Sequence, residues 1–426
     1  MKVLMFGWEF PPHITGGLGT ACYGLTRGLA KHNTDVIFVV PKAFGDEDTS
    51  KIRLVNASDI EIDTRESIYH DLWKRIEYME IGSNIIPYIS PEEFENRQVI
   101  EELEHRKDEK SVLGRKYEFS GKYGTNLFEE VARYALVASA VAASRDYDLI
   151  HAHDWLTYPA GIAAKKVSGK PLVVHIHATE FDRSGERVNQ QVYDIEREGM
   201  MEADKVIAVS NLTRNICIER YGIPAEKIVT VHNAVEPTGK EELQAGRAVK
   251  EKIVTFLGRI TYQKGPEYFV EAARKVLDRD PNVRFVMAGQ GDLLNKMIKR
   301  VAKLHMSSKF HFTGFLRGEE VDRMLAMTDV FVMPSVSEPF GIVPLEAMRS
   351  NVPVVISKQS GVSEILKYAL KVDFWDVNAM ADAIYSLLNY KALPEMFKKY
   401  GKEEVDNLKW ENAAEQVKAV YDSLFK

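Results

Sequence analysis

Short apolar runs alternate with helical stretches twice over along this chain, and that rhythm constrains its fold more than any other feature. Runs near Val3–Phe6, Asp35–Val40, Leu149–Ala152, Leu172–Ile176, Lys205–Ala208 and Ile228–Val231 read as strands. A second set lies near Ile253–Leu257, Arg284–Ala288, Phe310–Phe312, Val330–Met333 and Val354–Ile356. The stretches between them carry apolar residues at three- and four-residue spacing, as in Phe269, Ala272, Ala273, Val276 and Leu277. Strands alternating with helices specify a parallel α/β sheet. A chain of 426 residues exceeds what one core usually supports, so two sets imply two doubly wound, Rossmann-like domains. The polar stretch from Glu236 to Lys252 has no strand pattern and is the expected seam, giving domains over 1–240 and 241–408 with a terminal amphipathic helix over 409–426. That helix places Ala414, Val417, Val420, Tyr421 and Leu424 on one face.

One segment departs from the rhythm. From about 46 to 122 the chain is long and charged, including the run from Glu101 to Lys110. It reads as a solvated insertion or as a lid over an acceptor.

Composition excludes several classes. A formal charge of −6 argues against a general nucleic-acid binder. Only Cys22 and Cys217 are present, which rules out a disulfide framework or a cysteine-based zinc site and fits a reducing, cytoplasmic setting. The opening residues, Met1 to Gly7, are too short for a signal-peptide core and read as the first strand, and no apolar stretch is long enough for a transmembrane segment.

The richest chemistry lies in Ser337-Glu338-Pro339-Phe340-Gly341-Ile342-Val343-Pro344-Leu345-Glu346-Ala347-Met348, directly after the strand at Val330–Met333. The order is strand, loop, then a helix opening near Gly341. A helix N-terminus offers unpaired N–H groups and partial positive charge. Glu338 would face a ligand from the loop, and Glu346, two turns into the helix, would reach a neighbouring polyol. A carboxylate accepts two hydroxyl hydrogen bonds at once, so Glu338 suits a hexose and Glu346 a ribose. In the loop Gly258-Arg259-Ile260-Thr261-Tyr262-Gln263-Lys264-Gly265, Arg259 and Lys264 either clamp a departing diphosphate or are two solvated basic residues.

Three stretches stand out in the first half. The loop holding Gly16, Gly17, Leu18 and Gly19 follows the first strand and precedes a helix, where glycines let backbone approach a phosphate. It lacks the G-x-G-x-x-G of a dinucleotide site. His151-Ala152-His153-Asp154-Trp155 ends another strand. There Asp154 could hold hydroxyls, and Trp155 could stack on a sugar or simply pack in the core. A metal held by His151, His153 and Asp154 is disfavoured, because adjacent strand positions face opposite ways. His175 and His177 end the next strand and share a side if it is regular.

Together these motifs resemble the retaining glycosyltransferases of the GT-B fold, and E-x7-E after a Pro-Phe-Gly turn is the signature element. The Gly-Gly-Leu loop and the His-x-His-Asp-Trp stretch are similar to those of the glycogen and starch synthases. In place of the lysine common in bacterial members, this chain has Ile14-Thr15. The resemblance implies two domains facing a cleft, with the terminal helix crossing back to the first. It implies transfer of a hexosyl unit, glucose foremost, from UDP- or ADP-glucose to an oligo- or polysaccharide acceptor. It makes Arg259 and Lys264 the diphosphate clamp, with Glu338 and the backbone of Phe340, Gly341 and Ile342 around the hexose. It places Glu346 at the ribose, His177 at the anomeric carbon, and Asp154 and Trp155 on the acceptor side. No metal or other cofactor is implied. A mannosyl or sucrose-type transferase shares every motif, and an epimerase, a hydrolase or a silent binding protein on this fold remain as alternatives.

Overall fold

The apolar runs become strands. The computed structural model describes residues 1–13, 16–62, 115–121, 123–124, 126–235 and 250–425. The chain forms two compact units, one of Met1–Phe181, Glu186–Asn233 and Trp410–Lys426, the other of Asp182–Gly185 and Ala234–Lys409.

The first unit runs β1 (Lys2–Phe6), α1 (Gly17–Lys31), β2 (Asp35–Val40), β3 (Arg53–Asn56), a small antiparallel ribbon of β4 (Glu61–Ile62) and β5 (Arg115–Lys116), α2 (Leu127–Ser144), β6 (Leu149–His153), α3 (Tyr158–Ser168), β7 (Leu172–Ile176), α4 (Gln190–Glu202), β8 (Lys205–Ala208), α5 (Asn211–Tyr221) and β9 (Ile228–Thr230). Its seven-stranded sheet has the order β3-β2-β1-β6-β7-β8-β9, with every pair parallel. Leu4, Phe6, Val39, Tyr134, Ile150 and Val174 lie in its core.

The second unit runs β10 (Lys252–Leu257), α6 (Pro266–Leu277), β11 (Val283–Ala288), α7 (Leu294–Lys303), β12 (Phe310–Gly314), α8 (Glu319–Met327), β13 (Val330–Met333), α9 (Val343–Arg349), β14 (Val354–Ser357), β15 (Leu370–Val372), α10 (Val377–Asn389) and α11 (Ala392–Asp406). Its six strands have the order β12-β11-β10-β13-β14-β15, also all parallel. The helical stripe read from the sequence is the one that packs: Phe269, Ala272, Ala273 and Val276 of α6 are fully buried.

Each strand order reverses once, between β1 and β6 and between β10 and β13. In open α/β sheets the carboxyl ends of the strands flanking such a reversal are where ligands bind.

One expectation changes. β3 lies inside the segment read as an insertion yet is an ordinary sheet strand, with Val55 buried in the core. Most of that segment, residues 63–114 with the charged run, lies outside the described residues, as does most of the expected seam, residues 236–249.

The last helix, α12 (Trp410–Ser423), packs on α1 within the first unit. Gly24 and Gly28, one turn apart on α1, make room for it. A Cβ at Gly24 would lie 2.3 Å from the Trp410 indole, and one at Gly28 would lie 2.6 Å from the Trp410 carbonyl oxygen. Gly24→Val is therefore expected to lift Trp410 and destabilise the protein by about 1–3 kcal/mol, the usual range for overpacking. An unchanged thermal midpoint would show that the two helices can slide apart freely.

Candidate active site

In the second unit the loops after β10 and β13 flank the reversal, and a glycine lets them meet. Gly265 has φ +63, and a Cβ there would lie 2.1 Å from the Pro334 carbonyl oxygen. Across this contact Val336 N–H donates to Gln263 O at 2.9 Å. Lys264 Nζ reaches Glu338 Oε2 at 2.5 Å, and Ser335 Oγ donates to the same oxygen at 3.2 Å. The Glu338 side chain is 9% exposed and that of Lys264 21%, so this is a largely desolvated pair. Arg259 leaves the same loop half-buried, and its Nη2 makes a long 3.4 Å contact with Gln263 Oε1.

Glu338 is fixed by its backbone, which pairs like a short strand with the segment after β14. Its N–H donates to Gln359 O, and its carbonyl accepts from Gly361 N–H, each at 2.9 Å. Two residues on, Phe340 O accepts from Val362 N–H at 2.7 Å. Phe340 is buried, so its ring offers no face to a ligand. Gly341 then turns with φ +100, a value that cannot continue into a helix. The helix consequently begins later than its expected opening near Gly341. Ile342 is the cap, Pro344 lies in the first turn, and so does Glu346, which is not two turns along. Glu346 is half-buried, and burial, helped by the charge of Asp322 on α8, pushes its carboxyl up to about 7.

One loop of this site was not anticipated. Gly289-Gln290-Gly291-Asp292 follows β11 and presses on the Arg259 loop. A Cβ at Gly289 would lie 1.9 Å from Gly258 O, and one at Gly291 would lie 2.3 Å from Ile260 O. Ile260 N–H donates to Gln290 O at 2.8 Å and Leu293 N–H to Ile260 O at 3.0 Å. The signal was present in the sequence as two glycines just past a strand end.

In the first unit, Gly16 and Gly17 are exposed at the start of α1, and Leu18 is half-buried. The buried Glu9 carboxylate accepts the Gly19 N–H at 3.2 Å. That places a negative charge at the helix start, so α1 offers an incoming phosphate less than a bare N-terminus would.

The histidines form an array. His153 of β6 is paired in register with His175 of β7, and His151 and His177 extend the set on the same sheet face. Ring centroids lie 4.3 Å apart for His151–His153 and 4.4 Å for His175–His177. His151 Nδ1 and the Tyr421 hydroxyl of α12 are 2.5 Å apart, and His153 Nδ1 and His177 Nε2 are 3.0 Å apart. Of the four only His177 is partly exposed, which favours it over His175 as the ligand-facing ring. Burial holds His177 down to about 3 and the other three well below the usual imidazole range, so all four are neutral near pH 7.

Two expected acceptor-side residues have other tasks. Trp155 is 1% exposed and tilted against Phe128, so its ring is a core element and offers no face for sugar stacking. Asp154, 5% exposed and at φ +60, turns its carboxylate inward, where Oδ1 accepts the His177 N–H at 2.7 Å. It positions the backbone of His177.

Comparison with known proteins gives the family and the fold. Residues 239–404 match the model of glycosyl transferases group 1, and residues 102–238 that of glycosyltransferase family 4. The alpha-maltose-1-phosphate synthase of Mycolicibacterium smegmatis is 30% identical over 67% of this chain and 80% of its own length. The chain belongs to the group 1 glycosyl transferases. The glycogen synthase of Mycobacterium tuberculosis is 24% identical over 99% of this chain and 94% of its own length. The solved sucrose-phosphate synthase of Thermosynechococcus elongatus superposes with a TM-score of 0.72 at 19% identity, covering 100% of this chain and 99% of that one. The likeness is one of fold: the two parallel-sheet units are those of GT-B glycosyltransferases. Among the described residues of this glycosyltransferase, no helix is long and apolar enough to cross a membrane.

Proposed function

We propose that this glycosyltransferase moves a glucosyl unit from a nucleoside diphosphate glucose to a glycan hydroxyl with retention of configuration, and that the acceptor is an α-glucan. The observation that carries the reading is the Lys264–Glu338 pair at the sheet reversal of the second unit. A cation and a carboxylate are held there in contact, so a diphosphate and a hexose can each draw on one of them. Lys264 and Arg259 oppose the charge that grows on the departing diphosphate, as preorganised charge does for any such leaving group. Glu338 and the backbone of Phe340, Gly341 and Ile342 hold hexose hydroxyls, and Glu346 holds the ribose. His177, neutral, lends a carbonyl to the developing oxocarbenium ion and a ring nitrogen to a hydroxyl. The acceptor hydroxyl attacks on the leaving-group face, and a diphosphate oxygen takes its proton. The basic pair does the leaving-group work, so this reading assigns no metal to the transfer step. The near full-length relation to a glycogen synthase supports an α-glucan acceptor. Two buried free thiols suit a cytoplasmic enzyme.

The test is release of nucleoside diphosphate from UDP-glucose and from ADP-glucose, each with and without glycogen or a malto-oligosaccharide. Release that requires the glucan, with lengthening of the chain, is the expected result. Release without acceptor would replace the reading with an epimerase or hydrolase, and silence with both donors would remove glucose from it.

A further inference from the structure

His153 and His177 meet edge to edge, with one nitrogen of each ring 3.0 Å from the other. Cys22, fully buried in α1, joins them: its sulfur and one nitrogen of each ring all lie within 4.8 Å of one another. A thiol and two neutral imidazoles make a donor set of the kind that holds zinc and similar borderline-soft ions. His153 is fully buried, and its Nδ1 faces the His177 Nε2, so these two nitrogens are the ring donors of the set.

We propose that Cys22, His153 and His177 form a binding site for a divalent ion of the zinc class, with three protein ligands and a fourth position open. Tetrahedral zinc, with Zn–N near 2.0–2.1 Å and Zn–S near 2.3 Å, sets nitrogens about 3.3 Å apart and sulfur about 3.6 Å from each. The two rings are already close to that spacing, and a turn of the Cys22 side chain supplies the rest. Burial, helped by the charges of Asp154 and Glu9, pushes the Cys22 thiol well above its usual range, so the thiol keeps its proton until an ion displaces it. Half-buried His177 gives the ion a route from solvent. The neighbouring set of His151, His153 and His175 is equally close, but all three rings are fully buried and it lacks a thiol. Its rings are stacked, with planes 5° to 29° apart. When the ion binds, the Cys22 thiol proton leaves to solvent. The proton shared by the two rings moves to the outer nitrogen of its own ring, so one proton is released per ion. None of this depends on which sugar the enzyme transfers.

The site is tested by titrating the metal-stripped, full-length protein with Co²⁺ and then with Zn²⁺. Expected are one equivalent bound, intense tetrahedral d–d bands, a sulfur-to-cobalt charge-transfer band, and loss of all of these on adding zinc. The chain has two cysteines, so Cys217→Ser identifies the sulfur. The charge-transfer band should persist in that variant and vanish in Cys22→Ser, with binding weakened at least tenfold. If Cys22→Ser does not fold, the Cys217→Ser spectrum alone decides. Absence of the charge-transfer band from the wild type, or its loss in Cys217→Ser, would overturn the site.

Discussion

Lys264→Ala is expected to lower turnover by a factor of hundreds or more, with a much smaller change in KM for the donor. A loss of that size corresponds to about 3 kcal/mol or more of transition-state stabilisation. It falls on turnover because the ammonium matters most as negative charge accumulates on the leaving diphosphate. A structural explanation competes. In the resting protein Lys264 pairs with Glu338, and its removal leaves a carboxylate that is 9% exposed without its cation. Breaking a fully buried pair costs about 3–5 kcal/mol. Here the lysine is partly solvated, so the cost should fall below that range. Thermal melts of Lys264→Ala, Glu338→Gln and the double variant measure the pair itself, because Gln removes the stranded charge. Turnover of Lys264→Ala, taken well below its own melting temperature, measures the clamp. Near-normal turnover in that folded variant would remove Lys264 from the mechanism and leave the ion pair as a purely structural device.

Glu346→Gln is expected to weaken binding of the nucleoside diphosphate about tenfold while making the protein harder to unfold at alkaline pH. The native carboxyl is held up to about 7 by burial and by Asp322, against an ordinary value of 4.5. Below about pH 4.5 the side chain is protonated in both folded and unfolded chains, and the substitution changes little. Between about pH 4.5 and 7 the unfolded chain has lost this proton while the folded one still holds it, so wild-type stability declines across that window and levels off above it. The shift corresponds to about 3 kcal/mol by linkage, reduced to about 1–2 kcal/mol for a half-exposed group. Glutamine cannot ionise and escapes that cost. Wild-type affinity should also improve between pH 6 and 8 as the carboxylate forms, whereas the variant lacks this component. The nucleotide's own titration is common to both and cancels. Equal melting temperatures of the two proteins at pH 8 would show that Glu346 is not under electrostatic strain, and equal affinities would remove it from the ribose.

The fold was legible where burial is total. β2, β7, β8 and β13 have the bounds read from the sequence, because strands covered on both faces are nearly all apolar. β3 and β15 were missed for the converse reason. Arg53–Asn56 and Leu370–Val372 are edge strands with polar members, and their apolar runs are too short to register. At the site, residue identities could be read but not aims. Nothing local distinguishes a tryptophan that faces a ligand from one that packs on Phe128, or an aspartate that holds hydroxyls from one that caps the His177 backbone. The helix opens two residues past Gly341, near where it was read, but that offset puts Glu346 in the first turn instead of two turns along. A residue at φ +100 ends the loop and delays the helix. The contact between Tyr421 and His151 joins positions 270 residues apart, a distance that no periodicity spans.

That long reach has a consequence for how the protein is made. The residues of α12 that cover Gly24 and Gly28 and cap the histidine array emerge from the ribosome after every strand of the second unit. The second unit, apart from Asp182–Gly185, is one unbroken stretch and can complete its core while synthesis continues. The unit begun first is thus finished last. Until α12 arrives, the groove on α1 and the fully buried imidazole of His151 lack their cover, and a chain stalled before Trp410 would carry a complete second sheet beside an unsealed first one.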